Sequence, residues 1–130
     1  MGRTPQKDKT AKIFILNGNA TCGKDTFANI VGDNITAAHY SIVKPIKDML
    51  YAFSVEMDID YWNKDEKMRK LISDLKLALE EYNDSPYLKT VEFIENVKNK
   101  CDCIFVDMRE KHDIERLMSD YDVKVILIKN

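Results

Sequence analysis

The sequence lacks a cysteine framework. Its three cysteines, Cys22, Cys101 and Cys103, form no Cys-x-x-Cys pair and no Cys/His ligand spacing, so nothing in their arrangement suggests a zinc site or a disulfide scaffold. Cys101-Asp102-Cys103 runs straight into Ile104-Phe105-Val106 and is read as packing at the edge of a strand, with reduced thiols behaving as small apolar groups. Long hydrophobic runs are absent too, and none approaches the roughly 20 residues that cross a bilayer. The polar, basic N-terminus has no apolar stretch behind its charges, which excludes a signal peptide and leads to the expectation of a cytoplasmic protein without a membrane partner. There is no excess of positive charge either: 20 Lys and Arg stand against 22 Asp and Glu, for a net charge of −2. A general nucleic-acid surface needs a basic face, so any nucleotide bound is expected to be a small molecule. No internal repeat or low-complexity segment is present.

A hydrophobic fraction of 45% in 130 residues, with 32% charged, suits one globular domain with its own core. Residues 1–11 show neither helical nor strand periodicity and are read as a flexible tail, leaving 12–130 as the domain. Lys12 to Asn17 is a β-branched and aromatic run halted by glycine, as expected of a buried strand feeding a turn. A helix is predicted from about Lys24, with Phe27, Ile30 and Val31 on one face, and a short strand over Ala38 to Val43. Three amphipathic stripes follow. Ile46, Met49, Leu50, Phe53 and Met57 come after Pro45; Met68, Leu71, Ile72, Leu75, Leu79 and Tyr82 mark a helix over Asn63 to Tyr82. Ser85-Pro86 starts a third, carrying Leu88, Val91, Ile94 and Val97 or Lys98 and running to about Lys100. Cys103 to Val106 reads as a strand ending at Asp107. Ile114, Leu117, Met118 and Tyr121 mark a helix, and Val123 to Ile128 a last strand. Strands separated by helical crossovers predict a parallel sheet of about four strands covered on both faces, a three-layer α/β fold.

Between the first strand and the predicted helix lies Gly18-Asn19-Ala20-Thr21-Cys22-Gly23-Lys24-Asp25-Thr26, a Gly-x-x-x-x-Gly-Lys pattern. In that context glycines let the loop curl, successive N–H groups point inward, and the helix N-terminus adds partial positive charge, which together make a cradle for nucleotide phosphates. Lys24 supplies a mobile cation to the β- and γ-phosphates. Asp25 replaces the Ser or Thr that usually ligates Mg²⁺ and is open to two readings, a catalytic one and that of an acidic residue in the first turn of a helix. Asp107 likewise has two: a carboxylate beside the first strand that holds magnesium through water, or a helix cap.

These residues resemble the bacteriophage-type deoxynucleoside monophosphate kinases, a family of P-loop kinases. Gly23-Lys24-Asp25-Thr26 is similar to that family's cradle ending. Ser41-Ile42-Val43-Lys44-Pro45-Ile46-Lys47 looks like its Ser-Phe-Ala-x-Pro-Leu-Lys segment, matching at Ser41, Pro45 and Lys47. Arg69 to Lys76 is a looser match to Arg-x-Leu-Leu-Gln-x-Leu-Gly, with Ser73 and Lys76 in place of the Gln and Gly. Asp107-Met108-Arg109 looks like Asp-Val-Arg, and Asp113 falls where a Glu is usual. The resemblance spans about Lys12 to Lys129. It implies a P-loop NTPase-type sheet with a helical monophosphate-binding insertion over 44–100, and ATP and Mg²⁺ as cofactors. It further implies phosphoryl transfer to a (deoxy)nucleoside monophosphate, with Lys24, Asp107 and Arg109 as catalytic candidates. Ser41, Lys47, Arg69 and Arg109 are the corresponding substrate contacts, and Asp107 the metal ligand.

Members of that family continue past the strand at Val123 to Ile128 into a lid over the phosphates, so nucleotide binding with slow or absent turnover is expected of these 130 residues. Two rivals stand beside this reading. One is a P-loop kinase for a small metabolite such as phosphomevalonate or dephospho-coenzyme A; the other is a nucleotide-binding or interaction module without turnover. The sequence is silent on the accepted base and on oligomeric state.

Overall fold

The computed structural model describes residues 10–17 and 36–127. The predicted cradle and the helix after it lie outside the described residues, as do most of the N-terminal tail and Ile128. The elements, in chain order, are β1 (Lys12–Asn17), β2 (Ala37–Ser41), α1 (Lys44–Phe53), α2 (Glu66–Asn83), α3 (Ser85–Val97), β3 (Cys103–Asp107), α4 (Lys111–Asp120) and β4 (Val123–Leu127). The fold is α/β, and its four strands are all parallel in the order β2-β3-β1-β4. No described helix is long and apolar enough to cross a membrane.

The chain divides into two compact units, Met1–Ser41 with Val91–Asn130, and Ile42–Thr90. The first holds the sheet. Its central strands are apolar on both faces, as a parallel sheet requires: Ile15, Leu16, Ile104, Phe105 and Val106 are all buried. One face carries Phe14, Leu16, Phe105 and Ile126 in a cluster with Cys103, and the rings of Phe14 and Phe105 stack at 5.5 Å. Against the other, Phe93 of α3 stacks on Tyr40 at 4.7 Å. The strands' N-terminal ends are tied by backbone bonds: Thr36 O accepts from both Asp102 and Cys103, and Lys12 N–H donates to Asp102 O.

The second unit is helical, built on Ile46, Leu50 and Met68 with Ile59, Tyr61, Leu71, Ile72, Leu75 and Leu79 packed around them. α1 begins with Pro45 in its first turn, where a missing N–H costs nothing. α2 starts later than the predicted Asn63, because Asp65 takes the N-cap and its Oδ1 accepts from Met68 N–H at 3.0 Å. It stops at Asp84, whose left-handed φ of 60° turns the chain into α3.

Several expected core residues are instead exposed. α1 ends at Phe53, so Met57 lies in the turn beyond it, where helical spacing no longer sets which side a residue faces. Tyr82, Leu88 and Met118 sit at the margins of their stripes and face solvent. In α3 the buried positions are Pro86, Tyr87, Thr90 and Ile94 rather than a stripe through Leu88. Thr90 can be buried because its hydroxyl donates to Pro86 O at 2.9 Å. β2 covers Ala37–Ser41, and Ile42 and Val43 have already left the sheet.

Candidate functional site

The strand order singles out one edge of the sheet. β1 and β3 are neighbours, yet the chain leaving β1 passes to β2 beyond β3, and the chain leaving β3 passes to β4 beyond β1. Ligands of open α/β sheets bind outside the carboxyl ends of strands at such a reversal. Here those ends are Asn17 and Asp107, with Asp107 in register with Leu16 on one side and with Ser41 on the other. Gly18, the first residue of the cradle pattern, follows Asn17 directly.

Asp107 lies on the sheet face that carries Leu16 and Phe105, since registered neighbours and alternate residues share a face. Its side chain is 14% exposed, and its Oδ2 accepts from His39 Nε2 at 3.0 Å. An ionised carboxylate can only accept, so Nε2 carries the hydrogen. The other oxygen, Oδ1, is buried and has no hydrogen-bond partner among the described residues. Leaving a buried anionic oxygen without a donor is costly, so such an atom marks a place where an N–H, a water or a cation belongs.

The turn after β3 is anchored beside this carboxylate. Met108 is buried and its N–H donates to Leu16 O at 3.4 Å, while Arg109 and Glu110 are exposed. Asp107 is not the cap of α4: the N-cap position is Glu110, which makes no side-chain cap bond. Comparison with family models, with curated proteins and with solved structures finds no match to this chain.

Of the residues singled out from the sequence, Ser41 and Asp107 are brought side by side at the ends of β2 and β3, and Arg109 follows two positions later. Lys47 on α1 and Arg69 on α2 belong to the helical unit, Lys47 partly buried and Arg69 exposed. Gly18 to Thr26, including Lys24, lie outside the described residues. Of the cysteines, Cys101 and Cys103 take no part in this edge. Burial pushes the thiols of Cys101 and Cys103 up, and the Cys101 thiol donates to Val97 O and Cys103 O. Protonated, bonded thiols suit packing and not redox chemistry.

His39 is the functional candidate that sequence reasoning passed over. A histidine in a short strand of Ala, Tyr and Ser carries no motif. Its only signal is its place two residues before Ser41, on the face where Asp107 becomes its diagonal neighbour once β2 and β3 are known to pair.

Proposed function

We propose that this chain is a P-loop domain that binds ATP with Mg²⁺ at the carboxyl ends of β1 and β3 and transfers a phosphoryl group to a (deoxy)nucleoside monophosphate. The observation carrying this reading is the partly buried Asp107 carboxylate, whose Oδ1 has no partner among the described residues, one register step from the end of the strand that leads in sequence to Gly18-x-x-x-x-Gly23-Lys24. Asp107 is far from that motif in sequence, and the pairing of β1 with β3 sets it beside Leu16, two residues before the motif begins.

The donor set fits a hard divalent cation, which takes oxygen ligands and keeps several waters. Asp107 is the residue that would hold it, and when bound it would neutralise charge on the phosphates. The chain's own residues do the rest. The N–H groups of the cradle and the Lys24 ammonium bind the donor phosphates, and Arg109 balances charge on the transferring group. Ser41, in register with Asp107 at the end of β2, is the contact for the acceptor phosphate in the unit that holds the sheet. Phosphoryl transfer asks for alignment and charge balance rather than covalent catalysis.

The test is nucleotide-induced stabilisation. A ligand that binds only the folded state raises its stability by mass action, so ADP or ATP with Mg²⁺ raises Tm. Lys24→Ala removes most of that rise, and Asp107→Asn removes the part that depends on magnesium. A Lys24→Ala protein with the wild-type rise would sink the cradle. Steady-state ADP formation with each common deoxynucleoside monophosphate, and with small-metabolite acceptors, then separates a monophosphate kinase from its rivals.

A further inference from the structure

We infer that His39 is the positioning residue of the Asp107 carboxylate, holding Oδ2 so that Oδ1 is the oxygen offered to the cation. This rests on the reading of Asp107 as the carboxylate that holds magnesium.

Among the described strands β2 lies at the edge, paired with β3 alone, and His39 is registered with Phe105, one pleat before the Ser41 and Asp107 pair. The face it occupies is otherwise apolar at Phe14, Leu16 and Phe105, so an aliphatic or aromatic residue would satisfy the strand there. Instead a polar ring, with its side chain 34% exposed, reaches diagonally to Oδ2 at 3.0 Å.

The geometry has a consequence for the carboxylate. Rotation about the last bond of an aspartate exchanges its two oxygens, and a group free to rotate offers either one to a ligand in several directions. A hydrogen bond from a ring fixed on the neighbouring strand selects one setting. The two oxygens of Asp107 are accordingly unlike: Oδ2 is engaged, whereas Oδ1 is buried and unsatisfied among the described residues. Carboxylates that ligate metals are themselves hydrogen-bonded, and removing such an outer partner costs roughly 10- to 100-fold in metal affinity or activity.

The experiment compares His39→Leu, which keeps an apolar strand residue and removes the donor, with His39→Gln, whose amide can donate from a similar distance. The affinity for ATP is measured by calorimetry in EDTA and across a MgCl₂ titration, with Lys24→Ala and Asp107→Asn alongside. In His39→Leu the magnesium concentration needed for half of the affinity gain rises about tenfold or more, ATP affinity in EDTA is unchanged, and His39→Gln recovers most of the loss. A wild-type magnesium titration in His39→Leu overturns the inference, as does an equal loss with and without magnesium, which marks a merely structural role. If His39→Leu does not fold, His39→Gln decides: a wild-type titration supports the inference, and one like that of Asp107→Asn overturns it. Failure of the underlying reading looks different, since Lys24→Ala would then bind ATP as the wild type does, or Asp107→Asn would keep the full magnesium dependence.

Discussion

Two lysines on α2 make the same contact in different surroundings. Lys70 reaches Asp74 and Lys76 reaches Glu80, each four residues on and each at 2.7 Å. The first pair is solvated, with side chains 76% and 56% exposed; in the second the figures are 7% and 17%. Water screens the first pair, so Asp74→Ala should cost no more than about 0.5 kcal/mol. Glu80→Ala removes one carboxylate from a pair largely taken out of water and should cost more, on the order of 1–3 kcal/mol. Urea unfolding of both variants checks the contrast, and equal losses would mean that burial of Lys76 has no energetic consequence. This burial was illegible in the sequence, where Lys76 flanks the apolar stripe as any solvated lysine would. The candidate site divides in the same way. Asp107 and Ser41 could be singled out because each ends a recognisable run or matches a motif, but their adjacency and the engagement of His39 depend on strand pairing, which local spacing does not encode.

Individual elements were more legible, because periodicity, caps and breakers are local. Each described strand and helix falls where an apolar run or stripe predicts one, and the errors lie at ends and margins: Phe53 and Met57, where α1 stops earlier than its stripe, and Leu88, where a buried Thr90 takes the place of an apolar residue. The start of α2 is set by a single side chain, and Asp65→Ala should cost about 1 kcal/mol through loss of the bond to Met68 N–H. A wild-type urea midpoint in that variant would count against the cap.

A second element-level contact links α3 to the end of α4, where the Tyr121 hydroxyl donates to Glu95 Oε2 while Lys98 Nζ meets Oε1 at 2.8 Å. Lys98 first, then Tyr121, hold the Glu95 carboxyl below its ordinary value of 4.5. Burial, with Glu95 adding to it, pushes the Tyr121 hydroxyl above its ordinary value of 10. A depressed carboxyl contributes stability above pH 4.5 that is lost as pH falls through its lowered value, and a raised phenol contributes stability below pH 10 that fades as pH climbs above it. Tyr121→Phe should therefore lower Tm at neutral pH, with the gap to wild type narrowing below pH 4.5 and above pH 10. Thermal melts across that range test the sign, and a gap independent of pH would assign the loss to packing instead.

At the scale of the whole molecule, the alternation of strands and helices made a parallel α/β sheet legible, but not the order β2-β3-β1-β4. That order rests on contacts between residues many tens of positions apart, and it is what brings the end of β1 and the distant Asp107 to one edge. The division into two units has an optical consequence. Trp62 is the sole tryptophan, 74% exposed, and its ring lies 5.0 Å from Tyr61 and 6.0 Å from Tyr51, all three in the helical unit. At such separations light absorbed by either phenol passes to the indole, so those two tyrosines are dark while their unit is folded. An exposed indole already emits to the red, and denaturation barely moves its wavelength. The informative signal is the return of Tyr51 emission as its ring parts from the indole, Tyr61 being bonded to Trp62 and dark in either state, which gives residues 42–90 a colour of their own while circular dichroism follows the entire chain.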